Sequence, residues 1–133
     1  MLNLALHYGE GPVFLKDIAK DEAISEKYLS QIIIPLKAKN FVNTFRGAHG
    51  GYTLSRPPAQ ISLKDLVTSL EGNLLTLDCL LDPENCDRSV QCITKEVWCK
   101  LGDVVSEYLN SVTLADLVNR HKEKADKIIS YSI

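Results

Sequence analysis

The chain of 133 residues is 45% hydrophobic and 24% charged, with a formal net charge of −2, which suits one small globular domain. No apolar run approaches the roughly 20 residues that a membrane-spanning helix needs. The opening "MLNLALHYGEG" lacks the basic start and the small-residue cleavage site of a secretion signal. We therefore expect a cytoplasmic protein without a membrane partner.

Charge is distributed unevenly along the chain. Residues 12–56 carry seven Lys/Arg and four Asp/Glu, whereas residues 65–133 carry seven Lys/Arg and twelve Asp/Glu. A basic first half followed by an acidic second half favours an anionic partner for the first half alone. Surface charge without a function explains the same pattern equally well.

The first forty residues predict short helices and a tight turn. "MLNLALHYG" is typical of the end of a helix stopped by Gly9, and "LKDIAKDEA" predicts a second short helix. Ser25 is a good N-cap for a third helix, which Pro35 should bend near its end. An apolar stripe follows this helix at spacings of three and four: Tyr28, Leu29, Ile32, Ile33 and Leu36. The second and third helices together predict a helix-turn-helix.

A β-hairpin is predicted next, in "FVNTFRGAHGGYTLSRP". Two strand-like segments flank the glycine-rich tip "GAHGG", with Arg46 at the base of the tip and Arg56 just beyond the second strand. A helix-turn-helix followed by a hairpin is the order of a winged helix. In that fold the second helix of the motif enters the DNA major groove, and the hairpin meets phosphates or the minor groove. The sequence therefore predicts double-stranded DNA as a partner.

Two further amphipathic helices follow the hairpin. "SLKDLVTSLEGN" predicts a helix capped by Ser62 and closed by Gly72. The next helix, of about eighteen residues, has an apolar face made of Val97, Leu101, Val104, Val105, Tyr108 and Val112. Burial of this face against the same helix of a second subunit predicts a two-fold homodimer. The alternative is that the face covers the chain's own winged helix. "SVTLADLVNRHKEKADK" predicts a short helix and a frayed, charged tail.

All four cysteines fall in one stretch, with the spacing Cys79-x₆-Cys86-x₅-Cys92-x₆-Cys99. Zinc sites usually pair their thiols as C-x₂-C, a pair that this sequence lacks, whereas wider gaps in a loop suit a larger cluster. Cys92 falls where the long helix is predicted to begin, and helix N-termini stabilise thiolates. From the residues alone, zinc, an iron–sulfur cluster and redox-active thiols all stay open.

Several motifs occur in the order found in one known family: "ISEKYLSQI", "RGAHGGYTLSRP", "ISLKDLVTSLEG" and "NSVTLADLV". Up to about Asn119 the chain resembles the winged-helix repressors typified by IscR, NsrR and CymR. The resemblance implies a homodimeric bacterial regulator, mainly α-helical with a small β-hairpin. Its expected parts are a winged helix-turn-helix domain (1–72), a cysteine-bearing loop (73–92), and a long dimerisation helix with a tail (93–133). Family members open with a longer first helix, whose beginning we expect to be missing here.

The resemblance also implies which residues contact a pseudo-palindromic DNA operator. We expect Ser25, Lys27, Tyr28, Ser30, Gln31, Arg46, Gly47, His49, Gly50 and Arg56 to do so. Gln31 can read an adenine edge, and Lys27 suits a phosphate. The family often has Glu where this chain has Ser30, and that carboxylate is linked to sequence choice, so the preferred operator is expected to differ.

Many members of the family bind an iron–sulfur cluster through three cysteines, while others lack them and respond to small molecules or partner proteins. The resemblance implies Cys79, Cys86 and Cys92 as ligands of a cluster that controls operator affinity, with 2Fe–2S preferred over 4Fe–4S. The His ligand that IscR-like members place three residues after the third cysteine is replaced here by Lys95. Cys99 lies about 10 Å beyond Cys92 along a continuous helix, too far for both to meet one compact cluster. The candidates for a fourth ligand are His7, Glu10, Asp78, Asp82 and Glu84.

Two rival functions remain compatible with the sequence. One is a regulator of the same fold whose cysteines bind zinc or cycle between thiol and disulfide, and the other is a dimeric interaction protein that no longer binds DNA. The sequence offers no phosphate-cradling glycine loop, paired carboxylates or nucleophile with a nearby base, so an enzyme is not predicted.

Overall fold

A computed structural model describes residues 1–74, 84, 86–88 and 90–132, which form six α-helices and one two-stranded antiparallel sheet. The elements are α1 Leu2–Leu6, α2 Leu15–Asp21, α3 Glu26–Ala38, β1 Val42–Phe45, β2 Gly51–Leu54, a 3₁₀ turn Pro58–Gln60, α4 Leu63–Glu71, α5 Ile93–Ser111 and α6 Leu114–Tyr131. This architecture confirms the predicted mainly α fold with a small hairpin. None of the described helices is long and apolar enough to cross a membrane.

The helix-turn-helix consists of α2 and α3. Ala23 adopts a left-handed backbone with φ of 53° in the turn between them, and the Ser25 hydroxyl caps α3 by accepting a hydrogen bond from the Tyr28 amide at 3.1 Å. Helix α3 continues through Pro35 to Ala38. Its buried stripe is Leu29, Ile33 and Leu36. The inclusion of Tyr28 in that stripe was wrong, because its side chain lies about 100° around the helix from Leu29 and is 57% exposed.

The wing is a hairpin of four residue pairs. One residue from the loop before α2 pairs with the outer side of its second strand. Val42 pairs with Leu54 at the open end of the hairpin, and Phe45 pairs with Gly51 next to the tip. Tyr52 and Val13 exchange two backbone hydrogen bonds, of 2.8 and 2.9 Å. Gly51 has a φ of 133°, and a Cβ there would lie 2.5 Å from the Val13 carbonyl oxygen. Only glycine therefore fits at this crossing.

A single hydrophobic core joins the helix-turn-helix, the hairpin and the start of the last helix. Its members include Leu4 in α1, Ile18 in α2, Leu36 in α3, Leu54 in β2, Leu66 in α4 and Leu114 in α6. Among the described residues, Ile61 and Leu114 have the least exposed side chains, at 0% and 1%. The core of the winged domain thus includes residues from the first helix and from the start of the last helix. The division of the chain at residues 72 and 92 stays a prediction.

The last two helices differ from the sequence prediction in two respects. Val112, expected on the apolar face of α5, instead ends that helix as its C-cap and is buried. The expected frayed tail was also wrong, since α6 is continuous to Tyr131. A capping box between Thr113 and Asp116 starts α6, and its first turns pack against α1 and the 3₁₀ turn, which stabilises the helix beyond its own propensity.

Candidate nucleic-acid interface and cysteine segment

The recognition face of α3 is the side turned away from the core. Lys27 and Gln31 are exposed there, one helical turn apart. Ile34 continues the same face and is 65% exposed, although the sequence reasoning did not single it out. An apolar residue off the buried stripe was the available signal. Ser30 is half-buried, and its hydroxyl donates a 2.7 Å hydrogen bond to the Lys27 carbonyl. This face can present a cation, an amide and an apolar surface to the edges of DNA bases.

The backbone is tightly folded at the tip of the wing, and this leaves the polar side chains of the tip exposed. The Gly50 amide donates to the Gly47 carbonyl at 3.0 Å, and a Cβ on Gly50 would lie 2.6 Å from the Phe45 carbonyl oxygen. Gly50 is consequently buried, while Arg46 and His49 are exposed. An exposed arginine on a compact turn suits insertion into a narrow groove or contact with a phosphate.

A groove connects the wing to the start of α2 and α3. It is lined by residues from all three elements, among them Phe14, Lys16, Glu26, Gly47 and Gly50. The Lys16 ammonium lies 5.4 Å from the centroid of the exposed Phe14 ring, an arrangement that favours a cation–π contact. Sequence reasoning missed this pair because Lys16 and Phe14 lie before the apolar stripe of α3. The structure places the positive charge of Lys16 beside the wing.

Arg56 lies at the other end of the hairpin from Arg46. It follows β2 by two residues, next to the Val42–Leu54 pair that is farthest from the tip. Its guanidinium carbon lies 4.9 Å from the centroid of the Phe41 ring. The structure thus separates Arg56 from the other expected DNA contacts, and its contact with DNA stays a prediction.

Helix α5 has an apolar face that the described chain leaves uncovered. None of its residues is buried, and its exposed large apolar side chains include Ile93, Val97, Leu101, Val104 and Tyr108. These five lie within about 80° of one another around the helix. Half-buried Val105 and Leu109 lie to one side of that strip, where α5 packs against α4. The contact with α4 therefore uses a neighbouring face, and the apolar strip remains available to another surface.

The cysteine segment leads into α5. Cys92 is half-buried and is the N-cap of the helix, as the sequence predicted. Its Sγ lies 3.1 Å from the Thr94 Oγ1. The Thr94 hydroxyl makes the largest contribution to stabilising the thiolate, and the Lys95 backbone amide makes the next largest. Both lower the pKa of Cys92 below its ordinary value. A thiol that ionises readily fits the role of a metal ligand.

The other candidate ligands are dispersed or lie outside the described residues. Cys86 is half-buried, Cys99 is exposed on α5, and Cys79, Asp78 and Asp82 lie outside the described residues. His7 Nδ1 and Glu10 Oε2 are 2.8 Å apart, near the end of α1. Within residues 1–74, 84, 86–88 and 90–132, no three His, Cys, Asp or Glu side chains come together as a metal site. The described donors Cys86 and Cys92 suit a thiolate-ligated group but form only part of one.

An exposed recognition helix, a wing beside it and a separate helix with an uncovered apolar strip define a winged-helix DNA-binding protein. The chain belongs to the Rrf2 family, whose model, described as an iron-dependent transcriptional regulator, matches residues 1–120. It is 40% identical over 119 residues to the transcriptional regulator CymR of Bacillus subtilis, covering 90% of this chain and 81% of that protein.

Solved structures agree with this assignment. The structure of B. subtilis CymR, described as the global cysteine regulator, matches with a TM-score of 0.75 and 37% identity, covering 90% of this chain and 87% of that one. The structure of T. potens IscR matches with a TM-score of 0.75 and 40% identity, covering 92% and 80%. The resemblance predicted from the motifs is thereby confirmed. The chain is a DNA-binding transcriptional regulator and, like these relatives, not an enzyme.

Proposed function

We propose that the chain is a cytoplasmic homodimeric repressor whose affinity for a pseudo-palindromic operator is controlled by an iron–sulfur cluster. The observation that carries the proposal is the position of Cys92, a thiol with a lowered pKa at the N-cap of the helix that bears the uncovered apolar strip. The family's description as iron-dependent regulators supports it.

The dimer is proposed to form through the apolar strip on α5. A strip of five large apolar side chains matches itself across a two-fold axis, since each copy offers the same surface. Two recognition helices related in this way would meet half-sites about one helical turn, or roughly 34 Å, apart.

DNA would be read by the exposed residues at the start of α3 and by the wing. We assign Gln31 to a base edge, Lys27 to a phosphate and Arg46 to the groove next to the wing. The other members of the proposed contact set are Ser25, Tyr28, Ser30, Gly47, His49, Gly50 and Arg56. Among them, Gly47 and Gly50 allow the backbone of the tip to approach the DNA closely.

The cluster would be held by Cys79, Cys86 and Cys92. It would link these separated parts of the segment, and the link would respond to iron supply and to oxidation. A shift of Cys92 moves the first turn of α5. Helix α5 packs on α4, and α4 packs on α3, so this chain of contacts joins the cysteine segment to the recognition helix. The two states must differ in DNA affinity for the arrangement to act as a switch.

Anaerobic reconstitution with ferrous iron and sulfide tests the proposal. The protein should turn brown, contain acid-labile sulfide, and bind its operator with a different affinity from the metal-free form. Cys92→Ser should lose both the cluster and the affinity change, whereas Cys99→Ser, the matched control on the same helix, should keep both. An unchanged operator affinity after full reconstitution would sink the switch and leave the DNA-binding assignment intact.

A second candidate keeps the fold and replaces the cluster with zinc or a thiol–disulfide cycle. It is favoured by the ready ionisation of Cys92 and by the similarity to a protein described as a global cysteine regulator. A colourless anaerobic preparation with stoichiometric zinc, or with an oxidant-sensitive operator affinity, would establish it.

A further inference from the structure

Three cationic side chains meet in a cleft at the end of the winged domain opposite the wing tip. Lys39 caps the C-terminus of α3, Arg56 follows β2, and Lys64 lies in the first turn of α4. The open cleft has a volume of about 370 Å³, and its remaining lining residues are Phe41, Asp65, Thr68 and Ser69. Asp65 is the only acidic residue of this lining, so the cleft has an excess of two positive charges.

Arg56 is held in place but lacks a partner for one of its donors. Stacking on the Phe41 ring fixes its guanidinium, and its Nε is buried without a hydrogen-bond acceptor among the described residues. A buried donor without a partner is costly, and native structures rarely tolerate one. Within the described parts of the chain, Lys39, Arg56 and Lys64 also form no ion pair with a carboxylate. The positive charges of these three side chains are therefore available to an anion in the cleft, whereas the buried Nε itself is closed to it.

The cleft lies away from the residues proposed to read bases, although Arg56, one of its lining residues, also belongs to the proposed DNA contact set. Helix α3 has 13 residues, so Lys39 lies about 20 Å along its axis from Ser25. The four-residue strands of the hairpin likewise place Arg56 roughly 13 Å from the tip. Lys39 and Arg56 therefore lie at the ends of α3 and of the hairpin that are farthest from Ser25 and from the wing tip.

We propose that the cleft binds a small ligand through a doubly charged phosphate group, either free phosphate or a phosphate monoester. A dianion balances the excess of two positive charges, and the guanidinium of Arg56 matches phosphate oxygens with two parallel hydrogen bonds. Lys39 and Lys64 add point charges, and the Thr68 hydroxyl adds a donor. This inference goes beyond the proposed function and depends on neither the cluster nor the dimer.

Occupancy of the cleft would connect three elements of the DNA-binding domain. The lining comes from the end of α3, the open end of the hairpin and the first two turns of α4. An anion that bridges Lys39, Arg56 and Lys64 restrains these elements relative to one another. The recognition helix and the wing are then held in one arrangement.

The test is a titration of the full-length, metal-free protein with inorganic phosphate and, separately, with glycerol 3-phosphate, at constant ionic strength and without DNA. Backbone amide shifts measured by NMR should saturate and should concentrate on residues that line the cleft. Lys64→Gln and Arg56→Gln should each weaken binding by about tenfold, the loss expected for one charged hydrogen-bond partner. Lys122→Gln, which removes the same charge from the exposed surface of α6, should bind as the wild type does.

The outcomes separate the sources of the phosphate group. Tighter binding of glycerol 3-phosphate supports a monoester ligand, and equal binding of the two probes supports the free anion. Shifts that grow linearly without saturation, or that saturate identically in Lys64→Gln, overturn the proposal. It is also overturned if neither probe binds while Arg56→Gln weakens operator binding as much as Arg46→Gln, because Arg56 is then a DNA contact. Lys64 is exposed and its substitution leaves the core intact, so the test does not depend on the folding of the arginine variant.

Discussion

Ser62 and Thr113 lie opposite each other in an isolated antiparallel bridge, and each is the N-cap of a helix. The Ser62 hydroxyl accepts a hydrogen bond from the Asp65 amide at 3.1 Å, and the Thr113 hydroxyl accepts one from the Asp116 amide at 3.2 Å. The Leu114 amide donates to the Ile61 carbonyl at 3.0 Å. The two caps thus join the start of α4 to the start of α6 and bring the C-terminal helix into the core of the winged domain.

Removal of the second cap should destabilise the domain. We expect Thr113→Ala to lower the free energy of unfolding by about 1 kcal/mol, because the first turn of α6 loses its side-chain acceptor. Chemical denaturation measures the change. Ser130→Ala is the control, since the Ser130 hydroxyl only donates to the Lys127 carbonyl near the exposed end of the same helix. Equal losses in the two variants would contradict the role of the cap.

The same cap makes part of the stability depend on pH. Hydrogen bonds from the Thr113 amide and hydroxyl lower the pKa of Asp116 below its ordinary value of 3.8. The contribution of this carboxylate is therefore complete above pH 3.8 and is lost as the pH falls through the lower value of the folded state. Wild-type protein should be more stable than Asp116→Asn at neutral pH, and the difference should shrink below pH 3.8. Unfolding curves across this range check the sign, and a pH-independent difference would disprove it.

The apolar strip of α5 predicts a variant that separates the subunits. Val104→Asp places a charge in the middle of the strip and should raise the dissociation constant of the dimer at least about tenfold, since a buried unpaired carboxylate is costly. Asn110→Asp adds the same charge on the opposite side of α5 and should leave the dimer unchanged. Sedimentation velocity of both variants decides the matter. A wild-type chain that sediments as a monomer at high concentration would exclude the strip as a dimer surface.

Base reading and phosphate contact on α3 can be separated by substitution. Gln31→Ala should cost about 1–3 kcal/mol at the preferred operator and relax the choice of base at one position. Lys27→Gln should instead weaken binding to all sequences and reduce its dependence on salt. Lys37→Gln removes a charge from the last turn of the same helix and serves as the control. Fluorescence anisotropy on matched and mismatched operators at two salt concentrations distinguishes these results.

The crossing between Gly51 and Val13 predicts the sensitivity of the wing to a single methyl group. Gly51→Ala combines an unfavourable φ of 133° with a clash against the Val13 backbone. We expect it to cost about 1–3 kcal/mol of stability and to weaken operator binding through a displaced wing. Ala48→Gly, at the exposed tip, should have a smaller effect on stability. A wild-type denaturation midpoint in Gly51→Ala would show that the crossing can relax.

Local signals in the sequence were enough to predict most of the secondary structure. Ser25 and Ser62 stand at helix starts because their hydroxyls accept hydrogen bonds from nearby backbone amides. Cys92 also stands at a helix start, without a side-chain cap. The glycine-rich tip predicted the hairpin for a similar reason, since Gly47 and Gly51 have a positive φ that other residues rarely adopt. The order of these elements, together with the motifs, predicted the winged helix and the family.

The errors arose where long-range packing decided the outcome. Tyr28 fits the apolar spacing of α3, yet the core closes over Leu29, Ile33 and Leu36 and leaves it exposed. The tail after Asn119 looks polar and frayed, yet α6 stays helical because Leu114 at its start is anchored in the core of the winged domain. Arg46 and Arg56 stand close together in the sequence, but the hairpin places them at opposite ends.

By itself, the sequence determined a winged-helix regulator with a basic DNA-binding half and a cysteine segment that leads into a long amphipathic helix. Helix periodicity, caps and glycine turns depend on residues only a few positions apart, so they can be recognised along the chain. Only the tertiary structure decided that the strip on α5 stays uncovered, that α6 completes the core, and that Lys39, Arg56 and Lys64 meet in one cleft. These features depend on which surfaces bury one another, and that choice is made by the packing of the whole domain.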